Sequence, residues 1–254
     1  MAHHHPKRAL RAREPELTPT PTVDPTALRS PAGHPKVLTR RSAALLQDLK
    51  SHDQASASLS PLAYNLTISH AHRFIWFRNA KVGTRTILGF LEEQRVDERL
   101  LVLSHTPYPT AAFAGYFKFG FVRDPLDRFI SAWQDKVHQQ NHFRFPPAEW
   151  ERMKTIETFA HWVAGQDLRD LGATDRHIAL QSRLVDLGQV DYLGRMETFG
   201  TDFSAVCEAV GLHWSEPVRQ NRSRPQGIDR ENASEELRSI VREKYRLDYQ
   251  VFGY

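Results

Sequence analysis

From about residue 70 onward, short apolar runs alternate with longer amphipathic stretches. RFIWF (73–77), LLVLS (100–104) and FKFGFV (117–122) are apolar runs of strand length, and YLGR ends a weaker one near 189–194. Between and after them, apolar positions recur every three or four residues in TRTILGFLEEQ, PLDRFISAWQDKV, TIETFAHWVAG, DRHIALQSRLV and DFSAVCEAVGL. That period predicts helices. ASEELRSIVREKYR (233–246) predicts a C-terminal helix, and SAALLQDLKS a short one before the first strand. Strands that alternate with helices imply βαβ units and a parallel sheet covered on both faces. Ligands of such sheets sit beyond the carboxyl ends of the strands.

The first forty residues break this pattern. They hold seven of the fifteen prolines, with many Thr, Ala and Arg. Such a segment cannot bury a core, so 1–40 reads as a disordered Pro/Arg-rich tail and 41–254 as one domain. Charge agrees with this division. Residues 1–50 carry nine Lys/Arg and four Asp/Glu, more than the whole chain's net charge of +4. The basic pI therefore belongs to the tail and gives no reason to expect a nucleic-acid partner. No apolar run reaches the roughly 20 residues of a membrane span, and no secretory h-region is present, so the expected location is cytoplasmic. The single cysteine, Cys207, excludes an internal disulfide and a multi-cysteine zinc site, and its helical context marks it as a small core residue. His3, His4 and His5 are given no metal role.

Two strand-to-helix junctions carry the candidate chemistry. In RFIWFRNAKVGTRTIL the helix begins near Thr84. A helix N-terminus offers unpaired N–H groups and a partial positive charge, which together favour an anion. Gly83 allows close backbone approach, and Lys81, Arg85, Thr84 and Thr86 can add donors. The motif is not a Walker A loop, because the lysine precedes the only glycine, so a kinase or GTPase is disfavoured. An ordinary turn with Thr84 as N-cap is the bland alternative. In FVRDPLDRFISAW, Asp124 suits the N-cap and Pro125 the first helical position, with Leu126, Phe129, Ile130, Trp133 and Val137 as the apolar stripe. Arg123 and Ser131 are left over. They are the donors a second phosphate would want, or else a salt bridge and a solvent-facing serine.

AKVGTRTI and FVRDPLDRFISAW together resemble the 5′-phosphosulfate and 3′-phosphate motifs of sulfotransferases that use 3′-phosphoadenosine 5′-phosphosulfate (PAPS). The chain is most similar to the family-2 carbohydrate sulfotransferases of the chondroitin 4-O-sulfotransferase group. DRHIALQSRLVDLGQVDYLGRMETFGTDFSAV is similar to that group's later H-x-x-x-Q and D-(Y/F)-(I/L/V)-G-(R/K)-x-E segment, so the resemblance covers about 70–254. Ala80 stands where many relatives have proline.

The resemblance implies a P-loop-NTPase-like central parallel sheet flanked by helices and a soluble, bacterial member of the group. It assigns Lys81, Val82, Gly83, Thr84, Arg85 and Thr86 to the 5′-phosphosulfate, and Arg123 and Ser131 to the 3′-phosphate. It implies sulfuryl transfer from PAPS to a hydroxyl acceptor of the carbohydrate class, by in-line displacement without a metal. Lys81 would neutralise the leaving group, and His105 in VLSHTPYP would be the catalytic base. His138, His142 and His177 are rivals for that role, with His177 on the same helical face as Gln181. Glu197 could orient a base or pair with Arg195, and HQQNHFRFPPAEWERM (138–153) would form part of the acceptor wall. Asn221, Arg222 and Ser223 would belong to a loop closing on the nucleotide, while Trp76 and Trp133 read as core. The alternatives are a non-catalytic nucleotide- or sulfated-glycan-binding module, and an enzyme acting on a phenol or tyrosine peptide.

Overall fold

The computed structural model describes residues 59–60, 62–94, 96, 101–214 and 228–254. The expected tail, the SAALLQDLKS helix, the domain start at 41 and the polar loop at Asn221 lie outside the described residues. Five strands form one sheet: β1 (Tyr64–Ser69), β2 (Phe74–Phe77), β3 (Leu101–Thr106), β4 (Phe117–Val122) and β5 (Tyr192–Arg195), in the order β3-β1-β2-β4-β5. β2, β4 and β5 pair in parallel, and β1 runs antiparallel to both of its neighbours, β2 and β3. The sheet is thus mostly parallel, with one reversed strand inserted between β3 and β2.

Side chains alternate across the pleat, so neighbouring residues go to opposite cores. Phe74 and Trp76 of β2 join Phe119 and Phe121 of β4 on one face, under α1 (Thr84–Glu93) and α5 (Phe199–Ala209). Ile75 and Phe77 face the other way, against Leu66, Leu103, Tyr108 and Val185. Trp76 is fully buried and Trp133 nearly so, as expected of core residues, and Cys207 is buried with them. Burial pushes the Cys207 thiol up to about 12, so it is an inert thiol. At Gly194 in β5 a Cβ would lie 2.3 Å from a ring carbon of Phe121, so the parallel neighbour leaves room only for hydrogen.

A helical layer packs beside the sheet: α2 (Pro125–Trp133), α3 (Pro147–Met153), α4 (Ile156–Ala164) and α6 (Glu235–Lys244), followed by α7 (Arg246–Phe252). Leu126, Phe129, Ile130, Trp133 and Val137 all enter its core, so the α2 stripe is used as its period predicts. α2 runs into a π-helical turn at Gln134–His138. The 138–153 stretch, expected in the acceptor wall, contains α3: Pro147 occupies the first helical position, where the missing N–H costs nothing.

DRHIALQSRLV is not a helix. It is a turn-rich segment with a 3₁₀ turn at Gln181–Arg183. Carboxylates take the amides that a helix would have used. Asp175 accepts from the His177 N–H, and buried Asp248 accepts from Gln181 and Ser182 at 2.7 and 3.0 Å.

Candidate functional site

The carboxyl ends of β2 and β4 are neighbours in a parallel pair, so the two junctions lie side by side, one strand spacing of about 4.8 Å apart. Both open into one cleft of about 530 Å³. The cleft is lined by six cations, Arg78, Lys81, Arg85, Arg123, Lys136 and Arg176, against three carboxylates, Asp127, Asp135 and Glu197. Gly83, Thr84, Thr86 and Ser131 also line it. The structure therefore brings together every expected binding residue except Val82. The Val82 side chain is buried in the core under α1, which leaves only its backbone for a ligand.

The loop into α1 turns by two left-handed residues, Lys81 (φ 69°) and Gly83 (φ 74°). Such alternation gathers backbone N–H groups into an anion-binding nest. Gly83, not Thr84, is the N-cap; no side chain caps the helix and its first turn holds no acid. Thr84 is the first helical residue, and its hydroxyl donates 2.8 Å to the Asn79 carbonyl, closing the loop. A substituent at Gly83 would be strained by the backbone and would press on Met196 at 3.2 Å. α2 is the opposite case. Asp124 accepts from the Leu126 and Asp127 N–H groups at 2.9 and 3.1 Å, and Asp127 adds charge in the first turn. The α2 terminus is already satisfied, which leaves only side chains as open donors at the second junction. Among the described residues no carboxylate forms an ion pair with Arg123 and no hydrogen bond engages the Ser131 hydroxyl.

Lys81 donates 2.8 Å to Asp135, which Lys136 also approaches at 3.3 Å. Burial draws the Lys81 ammonium below its usual value, and the Asp135 hydrogen bond and charge partly offset this. Burial would raise Asp135, but the Lys81 hydrogen bond and the two lysine charges prevail and bring it to about 2. Burial lowers Arg78 to about 10; it donates to the Leu66 and Leu103 carbonyls.

Two buried polar side chains hold these parts in place. Gln181 accepts from the Arg123 N–H at 3.0 Å, donates 2.7 Å to the Arg123 carbonyl, and accepts from Asn79 at 3.3 Å. It ties the ends of β2 and β4 together. Arg128, only 1% exposed, donates to the Ala80 carbonyl at 3.1 Å and to the Ala179 and Arg176 carbonyls at 2.9 Å each. The H-x-x-x-Q spacing marks Gln181 in the sequence. Nothing marks Arg128, since a cation beside an apolar stripe reads as solvent-facing.

The histidines separate. His105 lies outside the lining of the cleft. Its N–H donates 3.1 Å to the Asn65 side chain, and Asn65 is the residue that reaches the cleft. The inserted strand β1 causes this: it stands between β3 and β2 and sets the end of β3 two strand spacings, about 10 Å, from β2. His177 does line the cleft, from a loop rather than from a helical face shared with Gln181. His142 lies 3.0 Å from Asp175, and the His138 ring packs on Trp133. Glu197 accepts from the Asp124 N–H at 2.8 Å and from the Tyr254 hydroxyl at 3.0 Å. Arg195 instead donates to the Phe252 carbonyl and covers the Tyr254 ring.

A mostly parallel α/β sheet thus carries an uncapped, cation-flanked helix start at one junction, with Arg123 and Ser131 at the neighbouring junction facing the same cleft. The sulfotransferase family model matches residues 64–254, and the chain belongs to that family. Carbohydrate sulfotransferase 14 of Danio rerio is 25% identical over 242 residues, covering 78% of this chain and 65% of that protein. Carbohydrate sulfotransferase 14 of Mus musculus is 27% identical over 197 residues, covering 68% of this chain and 49% of that protein. The chain thus spans about half to two thirds of the length of these relatives. No solved structure matches it. Among the described residues no helix is long and apolar enough to cross a membrane.

Proposed function

We propose that this chain transfers a sulfuryl group from PAPS to a hydroxyl of a carbohydrate. The observation that carries the reading is the open N-terminus of α1, without cap or acid, sharing one cationic cleft with Arg123 and Ser131. The name of the two relatives supports the carbohydrate acceptor. PAPS, when bound, supplies the sulfuryl group and a phosphate leaving group. The first-turn N–H groups of α1, with Gly83, Thr84, Arg85 and Thr86, hold the 5′-phosphosulfate, and the Val82 backbone completes the nest. Lys81 stabilises the negative charge that grows on the leaving phosphate, as cations do in phosphoryl transfer. Arg123 and Ser131 hold the 3′-phosphate. A histidine takes the proton of the acceptor hydroxyl; His105 at the end of β3 and His177 in the cleft are the two candidates.

Calorimetric titration with PAP (the desulfated product nucleotide), AMP and ATP–Mg²⁺ tests the donor reading. PAP should bind more tightly than AMP, and Arg123→Ala should weaken PAP by about 2–4 kcal/mol, the loss of a charged partner at a desolvated phosphate. Equal affinity for PAP and AMP, or an unaffected variant, removes the 3′-phosphate assignment. Transfer of labelled sulfuryl from PAPS to a panel of glycans, phenols and tyrosine peptides tests the acceptor class.

A further inference from the structure

We infer that His177, oriented by Asp175, is the catalytic base of the transfer and that His142 completes a hydrogen-bonded His–Asp–His relay at the cleft wall. The inference rests on the proposed PAPS chemistry. Three observations carry it.

His177 lines the cleft with its side chain only 11% exposed, and its Nδ1 lies 2.6 Å from Asp175. Asp175 is a pure acceptor when ionised, so Nδ1 carries the proton and Nε2 keeps its lone pair. That is the tautomer a general base needs, held in the way a carboxylate holds the base of a hydrolytic triad. The second oxygen of Asp175 lies 3.0 Å from His142 Nε2, and the two imidazoles meet edge to face at 4.9 Å.

The frame is rigid on both sides. Arg128 grips the Arg176 and Ala179 carbonyls around His177 and the Ala80 carbonyl next to Lys81. One buried guanidinium therefore fixes the base and the leaving-group lysine in a common frame, which in-line transfer requires.

The titratable and charged groups facing His177 are Asp175 and His142 from the relay, Arg176 beside it in the loop, and Lys136 from the π-helical turn. Burial lowers the His177 basicity first, Asp175 partly restores it, and Lys136 and Arg176 lower it further. Together these influences favour the neutral imidazole. The nearby Lys136 and Arg176 disfavour a metal ion among these three side chains.

In the step, the acceptor O–H bond breaks and its proton passes to His177 Nε2. The acceptor oxygen–sulfur bond forms, and the sulfur–oxygen bond to the phosphate breaks, its electron pair staying on the phosphate beside Lys81.

The test uses the full chain with His177→Ala, His177→Gln, Asp175→Asn and His105→Ala, each checked for folding by circular dichroism. His177→Ala and His177→Gln should lower kcat about 10²–10⁴-fold while PAP affinity stays within about twofold. In wild type the His177 imidazole, followed by NMR, should titrate below the ordinary histidine range, and the acid limb of kcat should follow it. Asp175→Asn should move that midpoint lower still, a change that simple loosening of the loop does not produce. Near-normal kcat in both His177 variants with PAP binding intact would overturn the inference and leave the donor reading standing. So would loss confined to His105→Ala, or activity removed by EDTA and restored by Zn²⁺. A wild type that does not distinguish PAP from AMP sinks the donor reading and takes this inference with it.

Discussion

At the scale of single residues, Lys81 and Asp135 define the resting charge of the site. Asp135 is held at about 2 against an ordinary 3.8, so its folded pKa is depressed. A depressed carboxylate contributes stability above its unfolded pKa and loses it as pH falls through the folded one. Urea midpoints of wild type and Asp135→Asn should therefore differ most above pH ~4 and converge as pH falls toward ~2; a constant gap would mean that the pair contributes nothing through charge. Lys81→Met should cost about 10²–10³ in kcat, the range found on deleting one donor to a developing oxyanion. PAP affinity should change less, because the α1 N-terminus is intact. A loss seen only in affinity would assign Lys81 to ground-state binding.

At the scale of elements, the two junctions start their helices differently although both are strand-to-helix turns. α2 caps itself through Asp124, and α1 leaves its first turn open. What keeps them in register is Gln181, which bonds both backbone groups of Arg123 and the Asn79 amide. Gln181→Ala strands several buried polar groups, each worth about 1–3 kcal/mol when unpaired. It should lower unfolding free energy by about 2–4 kcal/mol and weaken PAP as well. Lost stability with unchanged PAP affinity would make Gln181 a purely structural strut. The β4–β5 pair is equally strict. Gly194→Ala places a methyl 2.3 Å from Phe121 and should destabilise by about 1–3 kcal/mol, the usual range for overpacking, measurable by thermal unfolding.

At the scale of the whole molecule, the donor site should couple to stability. A ligand that binds only the folded state at 100 times its Kd adds about 2.7 kcal/mol. PAP should therefore raise Tm by several degrees, AMP by less, and Arg123→Ala should erase the difference; added salt should shrink the effect, since the recognition is ionic. The helix starts and the α2 stripe were legible in the sequence because capping and period-3.6 patterns act locally. β1 was not. YNLTIS alternates polar with apolar, which signals a strand with one wet face, yet Asn65, Thr67 and Ser69 are all buried. Asn65 and Ser69 meet backbone amides instead, of His105 and His72. Overlooking β1 leaves out the strand that separates β3 from β2. The DRHIALQSRLV pattern misled for a related reason: carboxylates distant in sequence, such as Asp248, captured its amides, and no local pattern reports a partner 66 or 67 residues away.

The contact between Lys81 and Asp135 has one more consequence. Asp135 is a tethered competitor that never dilutes, since any anion seeking Lys81 must displace a carboxylate already seated there. A lone inorganic sulfate, held at one end of the cleft only, falls below that threshold. A nucleotide anchored at Arg123, as proposed above, would arrive at high effective concentration and rise above it. Millimolar sulfate should therefore be a poor inhibitor where micromolar PAP is a good one.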